Sequence, residues 1–283
     1  MKILALDIGG TAVKYGLFQE NNTTFGQFTV KDSSGNENIP RCICSFSKEH
    51  MPDILAISAP GPFDFESGTS QMKHKLLSMY NICLRDEIKK TVPSAKVIFV
   101  HDSTAFAIGA IRQNPKLEEK DVAVIMLGTG LGYSFLQKGK VLLNAKQTPL
   151  HPLWNRPFKD GISEDYVSTR VLLSDAEKCG FEADNIRDIA ICAQNGNEEL
   201  CKVFYDYGQN LGMCVMNAHE TDKFSEVIIG GQISLSWHLM KDGFESVCSI
   251  RYSLAKEPDK CALYGLLDCA KSGKEKYYTI CEE

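Results

Sequence analysis

Two glycine-rich turns, each placed directly after an apolar strand, constrain the fold of this chain more than any other feature. The run 3–7 (ILALD) leads into DIGGT (7–11), and the run 122–127 (VAVIML) leads into LGTGLG (127–132). Apolar residues resume after each turn, which predicts two β-hairpins. Glycine lets the backbone turn tightly, and its missing side chain lets a phosphate group approach the N–H groups. Each turn is therefore a candidate phosphate site, with a purely structural hairpin as the alternative.

Neither turn fits the two commonest phosphate-binding motifs. The chain has no G-x-x-x-x-G-K-[ST] sequence, so a P-loop is excluded. The spacing of Gly128, Gly130 and Gly132 differs from G-x-G-x-x-G, and the turn is followed by YSFL, a predicted strand rather than a helix. A dinucleotide-binding fold is therefore disfavoured as well.

The same order of elements occurs twice, as a glycine-turn hairpin followed by further strands and helices. A polar stretch with a proline at 112–120 separates the two copies and predicts an N-terminal domain of 1–113 and a C-terminal domain of 114–283. A last helix at about 261–272 can pack back on the N-terminal domain. Apolar runs predict strands at 24–30, 54–59, 96–100 and 226–229, and two short strands within 133–143. Capping residues and helical periods predict four helices before the last one. The first is capped by Ser103 and Thr104, the second covers 164–179 after Ser163, the third covers 198–220, and the fourth follows Gly230-Gly231.

Composition narrows the functional classes. The 283 residues carry 31 Lys and Arg against 36 Asp and Glu, and this net charge of −5 argues against a general nucleic-acid binder. No apolar run is long enough for a membrane helix, and the N-terminus lacks a signal-peptide pattern, so we expect a cytoplasmic protein. The eleven cysteines include no C-x-x-C pair, which favours reduced thiols over a metal site.

Five segments together resemble the ROK family of sugar kinases and repressors. Their order and spacing match the family over nearly the whole chain: DIGGT (7–11), SAPGPFD (58–64), HDSTAFAIGA (101–110), LGTGLG (127–132) and IIGGQIS (228–234). The resemblance implies an α/β fold of two RNase H-like domains, as in the actin-like ATPase superfamily, around a nucleotide and sugar cleft. No helix-turn-helix segment precedes Met1, so we expect a kinase-type member rather than a repressor.

The resemblance also implies roles for individual residues. Asp102 matches the catalytic acid of the family, and a carboxylate in reach of a sugar hydroxyl can orient it and accept its proton. From the residues alone, a helix N-cap is an equal alternative for Asp102. Asp7, at a strand end, can hold Mg²⁺ directly or through water. The expected nucleotide-binding residues are Asp7, Gly9, Gly10, Thr11, Gly128, Thr129, Gly130, Gly230 and Gly231. The expected sugar-binding residues are Gly61, His101, Asp102, His151 and Glu164.

The sugar-binding motifs depart from the family pattern. His101-Asp102 stands where members usually carry Asn-Asp, and the usual Glu-x-Gly-His is reduced to His151. The Asn that family members usually carry in the sugar pocket is not evident in this chain, and His74 or Lys75 falls near its place. The segment 152–163 holds no cysteine, so the zinc motif is missing and we expect no zinc site.

These departures leave the substrate open. The leading hypothesis is a kinase that uses ATP and Mg²⁺ to phosphorylate a hexose or an N-acetylhexosamine, with Asp102 as the general base. One alternative is a non-catalytic sugar or nucleotide sensor with a degenerate pocket, and another is a non-sugar kinase of the same superfamily. A small-molecule sugar is the expected partner, with no nucleic acid and no membrane, and a homodimer is expected by analogy only.

Overall fold

The computed structural model describes residues 1–10, 12–31, 35–73 and 75–282, which form two compact units. The first unit comprises Met1–Arg112, Lys140–Leu150 and Lys260–Glu283, and the second comprises Gln113–Gly139 and His151–Asp259. The predicted domains divide the chain once, at 113/114, whereas the chain crosses between the compact units several times. The assignment of two domains that meet at 113/114 therefore stays a prediction.

The strands include all those predicted from the apolar runs. In chain order they are β1 (Ile3–Ile8), β2 (Ala12–Gln19), β3 (Asn22–Thr29), β4 (Ile54–Ala59), β5 (Phe63–Asp64), β6 (Thr69–Ser70), β7 (Lys96–His101), β8 (Val122–Leu127), β9 (Leu131–Gln137), β10 (Lys140–Leu143), β11 (Pro157–Phe158), β12 (Gly161–Ile162), β13 (Glu226–Gly230), β14 (Tyr252–Leu254) and β15 (Tyr278–Ile280). The two predicted glycine-turn hairpins are confirmed, since β1–β2 and β8–β9 pair antiparallel.

The helices are more numerous than predicted. They are α1 (Ile39–His50), α2 (Leu84–Thr91), α3 (Asp102–Arg112), α4 (Thr169–Lys178), α5 (Ile186–Gln194), α6 (Glu198–Asp222), α7 (Trp237–Glu245) and α8 (Cys261–Ser272). The predictions of α6, α7 and α8 are confirmed, whereas α1, α2 and α5 were not predicted. No helix among the described residues is long and apolar enough to span a membrane.

Two predicted helix starts were wrong. We expected Ser103 and Thr104 to cap α3, but the helix already begins at Asp102, whose Oδ1 accepts a hydrogen bond from Ser103 N at 2.6 Å. We expected a helix to open after Ser163, but residues 163–165 form one 3₁₀ turn and α4 begins at Thr169. Ser163 donates hydrogen bonds to Arg156 O, and Glu164 N donates to Trp154 O, so this turn is tied to the loop before it and the helix begins later.

The first unit is built on a mixed sheet in the order β3-β2-β1-β4-β7. The pairs β1–β4 and β4–β7 are parallel, so their carboxyl ends lie at one edge of the sheet. Strand β1 is almost fully buried, which fits its continuous apolar run. Also in this unit, β10 pairs parallel with β15. The shared edge of β1, β4 and β7 is where the polar residues of the motifs collect.

Helices α3 and α8 of the first unit touch through their backbones. A Cβ on Gly109 would collide with the carbonyl oxygen of Cys261, and one on Gly265 would collide with that of Ala105. Both glycines are therefore required by close packing rather than by a turn. The close contact joins the C-terminal helix to the helix that begins at Asp102.

The second unit contains the sheet strands β14-β13-β8-β9. The pairs β8–β13 and β13–β14 are parallel, with Gly230 opposite Met126. The carboxyl ends of β8 and β13 therefore adjoin, and the turns that follow them lie side by side. Helices α4 to α7 complete this unit.

Candidate functional site

In the first unit, three parallel strands bring polar side chains to one edge. Asp7 of β1 lies opposite Ser58 of β4, and Ala59 lies opposite His101 of β7. The Ser58 hydroxyl donates a hydrogen bond of 2.7 Å to Asp7 Oδ1. Asp102 follows β7 directly, as the first residue of α3.

The environment of Asp7 disfavours its charged form. Burial is the main cause that raises the pKa of its carboxyl group, and the negative charge of Asp102 raises it further. The hydrogen bond from Ser58 and the charge of Lys14 act in the opposite direction and are outweighed. A cation beside Asp7 would relieve this penalty.

Asp102 is stabilised in its charged form. Burial raises its pKa, but this effect is outweighed by the electrostatic interaction and hydrogen bond with His101, the N–H of Ser103 and the charge of Lys75, so the net pKa is lowered. His101 Nδ1 lies 3.0 Å from Asp102 Oδ1, and the Asp102 side chain keeps 24% of its surface exposed. The carboxylate is thus ionised, fixed at one oxygen and still accessible.

Gly61 lies close to this pair of residues. A Cβ on Gly61 would lie 3.5 Å from His101 Nε2 and 4.0 Å from Thr148 Cγ2. The structure therefore brings together three predicted sugar-binding residues, Gly61, His101 and Asp102, and adds Thr148, which the sequence did not single out. The predicted alternatives for the pocket Asn include Lys75, whose charge acts on Asp102, and His74, which lies outside the described residues.

The first glycine-rich turn is only partly described. Gly9 N donates to Ala12 O at 3.1 Å, which closes the turn between β1 and β2. Gly10 is exposed, and a Cβ on it would meet no atom within 4 Å. Thr11, predicted to bind phosphate, lies outside the described residues.

In the second unit, the other two glycine segments adjoin. Thr129 is exposed at the tip of the second turn, and Gly128 O accepts hydrogen bonds from Thr169 N and Oγ1 at 3.0 and 2.9 Å. Gly231 has a φ of +88°, and a Cβ there would collide with the backbone of Leu127. Gly230 and Gly231 therefore pack directly against the strand that leads into the Gly128–Gly130 turn.

A hollow of about 420 Å³ lies next to Gly231 in this unit. Ser234 connects the two, because its Oγ donates to Gly231 O at 2.7 Å and its side chain lines the hollow. The walls combine apolar and basic side chains, namely Leu235, Trp237, His238, Lys241, Leu254, Lys256 and Pro258.

Glu164 is attached to the second glycine turn. Its Oε2 accepts a hydrogen bond from Leu131 N at 2.8 Å, and a Cβ on Gly130 would collide with the same oxygen. The glycine thus makes room for the carboxylate. Glu164 was predicted as a sugar ligand, and in the structure its carboxylate contacts the second glycine turn.

His151 has a partner that the sequence did not reveal. Its Nδ1 lies 2.6 Å from Oδ1 of Asp222, a buried residue that also contacts Tyr133 and Arg156. The only sequence signal was an acid at the end of a helix, where acids are disfavoured. Ser58 was inside a family motif, but its bond to Asp7 depends on the strand register.

The carboxylate of Asp7 offers the type of ligand atom that a divalent cation prefers. Mg²⁺ prefers oxygen ligands, and it is commonly held by one or two carboxylates with substrate phosphates. Asp7 and Asp102 are close enough for the charge of one to raise the pKa of the other. Among the described residues, no group of three or more His, Cys, Asp or Glu side chains is arranged to hold a metal ion.

Residues 3–146, just over half of the chain, match the sequence model of the ROK family. The chain belongs to the ROK family. Curated relatives of this ROK protein include a glucokinase from Thermotoga maritima, 26% identical over 149 residues (50% of this chain, 46% of the relative). Another is a β-glucoside kinase from Klebsiella pneumoniae, 25% identical over 148 residues (52% and 50%). The match therefore spans about half the length of each curated relative.

The fold of the ROK protein agrees with that of solved family members. It is similar to a ROK family glucokinase from Streptomyces griseus in complex with glucose and AMPPNP, with a TM-score of 0.78 and 20% identity. The likeness covers 96% of this chain and 100% of that chain. The predicted α/β fold is thereby confirmed.

Proposed function

We propose that this ROK protein transfers the γ-phosphoryl group of ATP to a hydroxyl group of a hexose or an N-acetylhexosamine. The observation that carries the proposal is the ionised, accessible Asp102, held by His101 beside the carboxylate of the first glycine turn. The similarity to a glucokinase and a β-glucoside kinase supports the sugar as acceptor.

In this proposal Asp102 orients the attacking hydroxyl group and accepts its proton. A carboxylate with a lowered pKa is a weak base, so it removes the proton late in the reaction. This suits phosphoryl transfer, in which the transition state is loose and positioning with charge neutralisation carries most of the catalysis. His101 keeps one carboxylate oxygen fixed, and the other remains available to the hydroxyl group.

The remaining residues bind the nucleotide in this proposal. Asp7, with Asp102 nearby, holds Mg²⁺, which when bound supplies positive charge next to the phosphoryl oxygens. Within each unit, the N–H groups of the glycine turn are the proposed phosphate donors. Gly230 and Gly231 lie against the adenosine, and the adjoining hollow accepts the base.

We place the reaction in the cytoplasm. All eleven cysteines are free thiols in the structure, which suits a reducing compartment. Homodimerisation remains a prediction by analogy.

The sensor is the second candidate, and two contacts favour it. His151 Nδ1 and Glu164 Oε2, both predicted to face a sugar, are already hydrogen-bonded to Asp222 and Leu131. Each contact occupies one polar atom of a predicted sugar ligand, so fewer atoms of the two side chains are left for sugar hydroxyl groups. Such a protein binds a sugar or a nucleotide without forming a product.

The test is a screen for ADP formation with ATP, Mg²⁺ and a panel of free hexoses and N-acetylhexosamines, with the sugar phosphate identified by mass spectrometry. We expect turnover with at least one sugar, and Asp102→Asn should lower kcat by about 100-fold or more. Asp206→Asn is the matched control, because it makes the same change at an exposed ion pair on α6. Equal turnover by wild type and Asp102→Asn would exclude the assigned base.

Calorimetry separates the other outcomes. Heat of sugar or nucleotide binding without any product would support the sensor. Phosphorylation of a carboxylate substrate, with every sugar inert, would support a non-sugar kinase.

A further inference from the structure

Asp222 is a buried carboxylate that strand β9 and the loop 151–156 of the second unit approach. It is the last residue of α6, and its side chain is 1% exposed. Its Oδ1 lies 2.6 Å from His151 Nδ1, while its Oδ2 accepts hydrogen bonds from the Tyr133 hydroxyl group and, at 3.3 Å, from Arg156 Nη2. Both carboxylate oxygens are therefore occupied by donors.

The location of Asp222 is unfavourable for an isolated carboxylate. The C-terminal end of a helix carries a partial negative charge, so an acid there is repelled. Removing the group from water disfavours its charge further unless donors replace the water. The charge of Arg156 and the three hydrogen bonds supply this replacement. The burial of Asp222 thus depends on its donors.

The contact with Asp222 determines which nitrogen of His151 carries the proton. An ionised carboxylate only accepts hydrogen bonds, so the nitrogen facing it must donate. The neutral ring then has its hydrogen on Nδ1 and an acceptor at Nε2. The His151 side chain is 41% exposed, in contrast to the buried Asp222. The buried partner therefore holds one edge of a ring that is open to solvent.

Arg156 fixes the same segment from a second side. Its Nη2 donates to His151 O at 3.2 Å, and its Nε donates to Pro152 O at 3.3 Å. The guanidinium group also lies over the Tyr133 ring, 5.6 Å from its centroid. Both the backbone and the ring of His151 are consequently tied to the Asp222 cluster.

We propose that Asp222 is a positioning residue that fixes the ring orientation and the Nδ1–H tautomer of His151, so that Nε2 is presented as the acceptor for a substrate hydroxyl group. The hydroxyl part rests on the function proposed above. The tautomer part does not, and it can be measured without any turnover.

The first test is long-range ¹H–¹⁵N NMR of the full chain, with the His151 signals assigned through His151→Gln. The wild type should show the Nδ1–H tautomer. Asp222→Asn should shift the ring towards the Nε2–H tautomer, while the matched control Asp206→Asn, on the same helix, should leave it unchanged. An Nε2–H ring in the wild type would overturn the proposal without any variant, and so would an unchanged tautomer in a folded Asp222→Asn.

The second test is kinetic and uses the sugar that gives turnover. Asp222→Asn should raise KM for the sugar by about tenfold or more through the lost placement of Nε2, while kcat changes little. An equal fall in kcat with no change in KM would contradict a role in sugar binding. If no sugar reacts with the wild type, the proposed function fails, whereas the NMR result still decides whether Asp222 positions His151.

Discussion

Replacing Gly130 by alanine should weaken the attachment of Glu164 to the second glycine turn. The new Cβ would approach Glu164 Oε2 more closely than the 3.0 Å that real Cβ atoms respect. The carboxylate is the end of a flexible side chain, so it will rotate away rather than push the backbone. The substitution therefore removes the 2.8 Å hydrogen bond from Leu131 N.

The size of the effect follows from two opposing terms. A hydrogen bond to a charged group contributes about 1.5–3 kcal/mol, and the partial exposure of Glu164 places this one near the lower end. Replacing glycine outside the left-handed region restricts the unfolded chain and stabilises by about 0.4–1 kcal/mol. The difference leaves a net loss of about 1 kcal/mol, which lowers Tm by about 2–4 °C for a unit of this size.

Gly128 offers a matched control in the same turn. A Cβ there would meet no atom within 4 Å, and neither glycine has a left-handed φ. Gly128→Ala should therefore leave Tm unchanged or raise it slightly, opposite in sign to Gly130→Ala. Both can be measured by scanning calorimetry on the full chain.

A double-mutant cycle with Glu164→Ala tests the cause. Without the carboxylate, Gly130→Ala should behave like Gly128→Ala, so that the two substitutions are coupled by about 1–2 kcal/mol. If Gly130→Ala destabilises equally in the Glu164→Ala background, the clash lies elsewhere and the reasoning is refuted.

Three further predictions follow from the first unit. Gly109→Ala should destabilise by about 2–3 kcal/mol in urea unfolding, because the clash with the Cys261 carbonyl group exceeds the roughly 1 kcal/mol gained in helix propensity; a neutral effect would contradict the contact. Asp7→Asn should raise Tm at pH 7, because burial and the charge of Asp102 raise the pKa of Asp7 on folding. The stability that Asp7 contributes is present below its ordinary pKa of 3.8 and is lost as the pH rises through the raised folded value. The gain should shrink as the pH approaches 4 in calorimetric scans. Asp102→Asn should do the reverse, because the net pKa of Asp102 is lowered. The stability that Asp102 contributes is present above the ordinary pKa of 3.8 and is lost as the pH falls through the lower folded value. A Tm gap that does not shrink as the pH falls below 3.8 would contradict this.

The sequence predicted the longer strands more completely than the helices or the two- and three-residue strands, for a local reason. Apolar runs that end in glycine, such as 3–7 and 122–127, carry their signal within a few residues. Helix α1 was not predicted, although its buried residues Ile39, Ile43 and Ser47 recur at the spacing of one helix face and Pro40 lies in its first turn. The start of α4 was wrong because tertiary bonds to residues 163–165 outweighed the capping signal of Ser163.

The candidate site was predictable only where it lies within a motif. Gly61, His101 and Asp102 belong to recognisable segments and are close together in the structure. Asp222 lies 71 positions from His151 and 89 from Tyr133, so no local pattern can connect them. Ser58 meets Asp7 only through the register of two parallel strands. Contacts of this kind are fixed by the fold rather than by spacing along the chain.

The opposite pKa shifts of Asp7 and Asp102 bear on the choice between kinase and sensor. Two neighbouring carboxylates whose environments move their pKa values apart are typical of sites where each has a separate task. Here the pKa of Asp102 is lowered by its contacts with His101 among others, while burial and the charge of Asp102 raise the pKa of Asp7. A protein that only binds sugar has no need of a destabilised Asp7, and drift would replace it with a neutral residue at a gain in stability. A stabilising Asp7→Asn that also weakens nucleotide binding would therefore count against a sensor that binds only a sugar, because it would show stability given up for a nucleotide site.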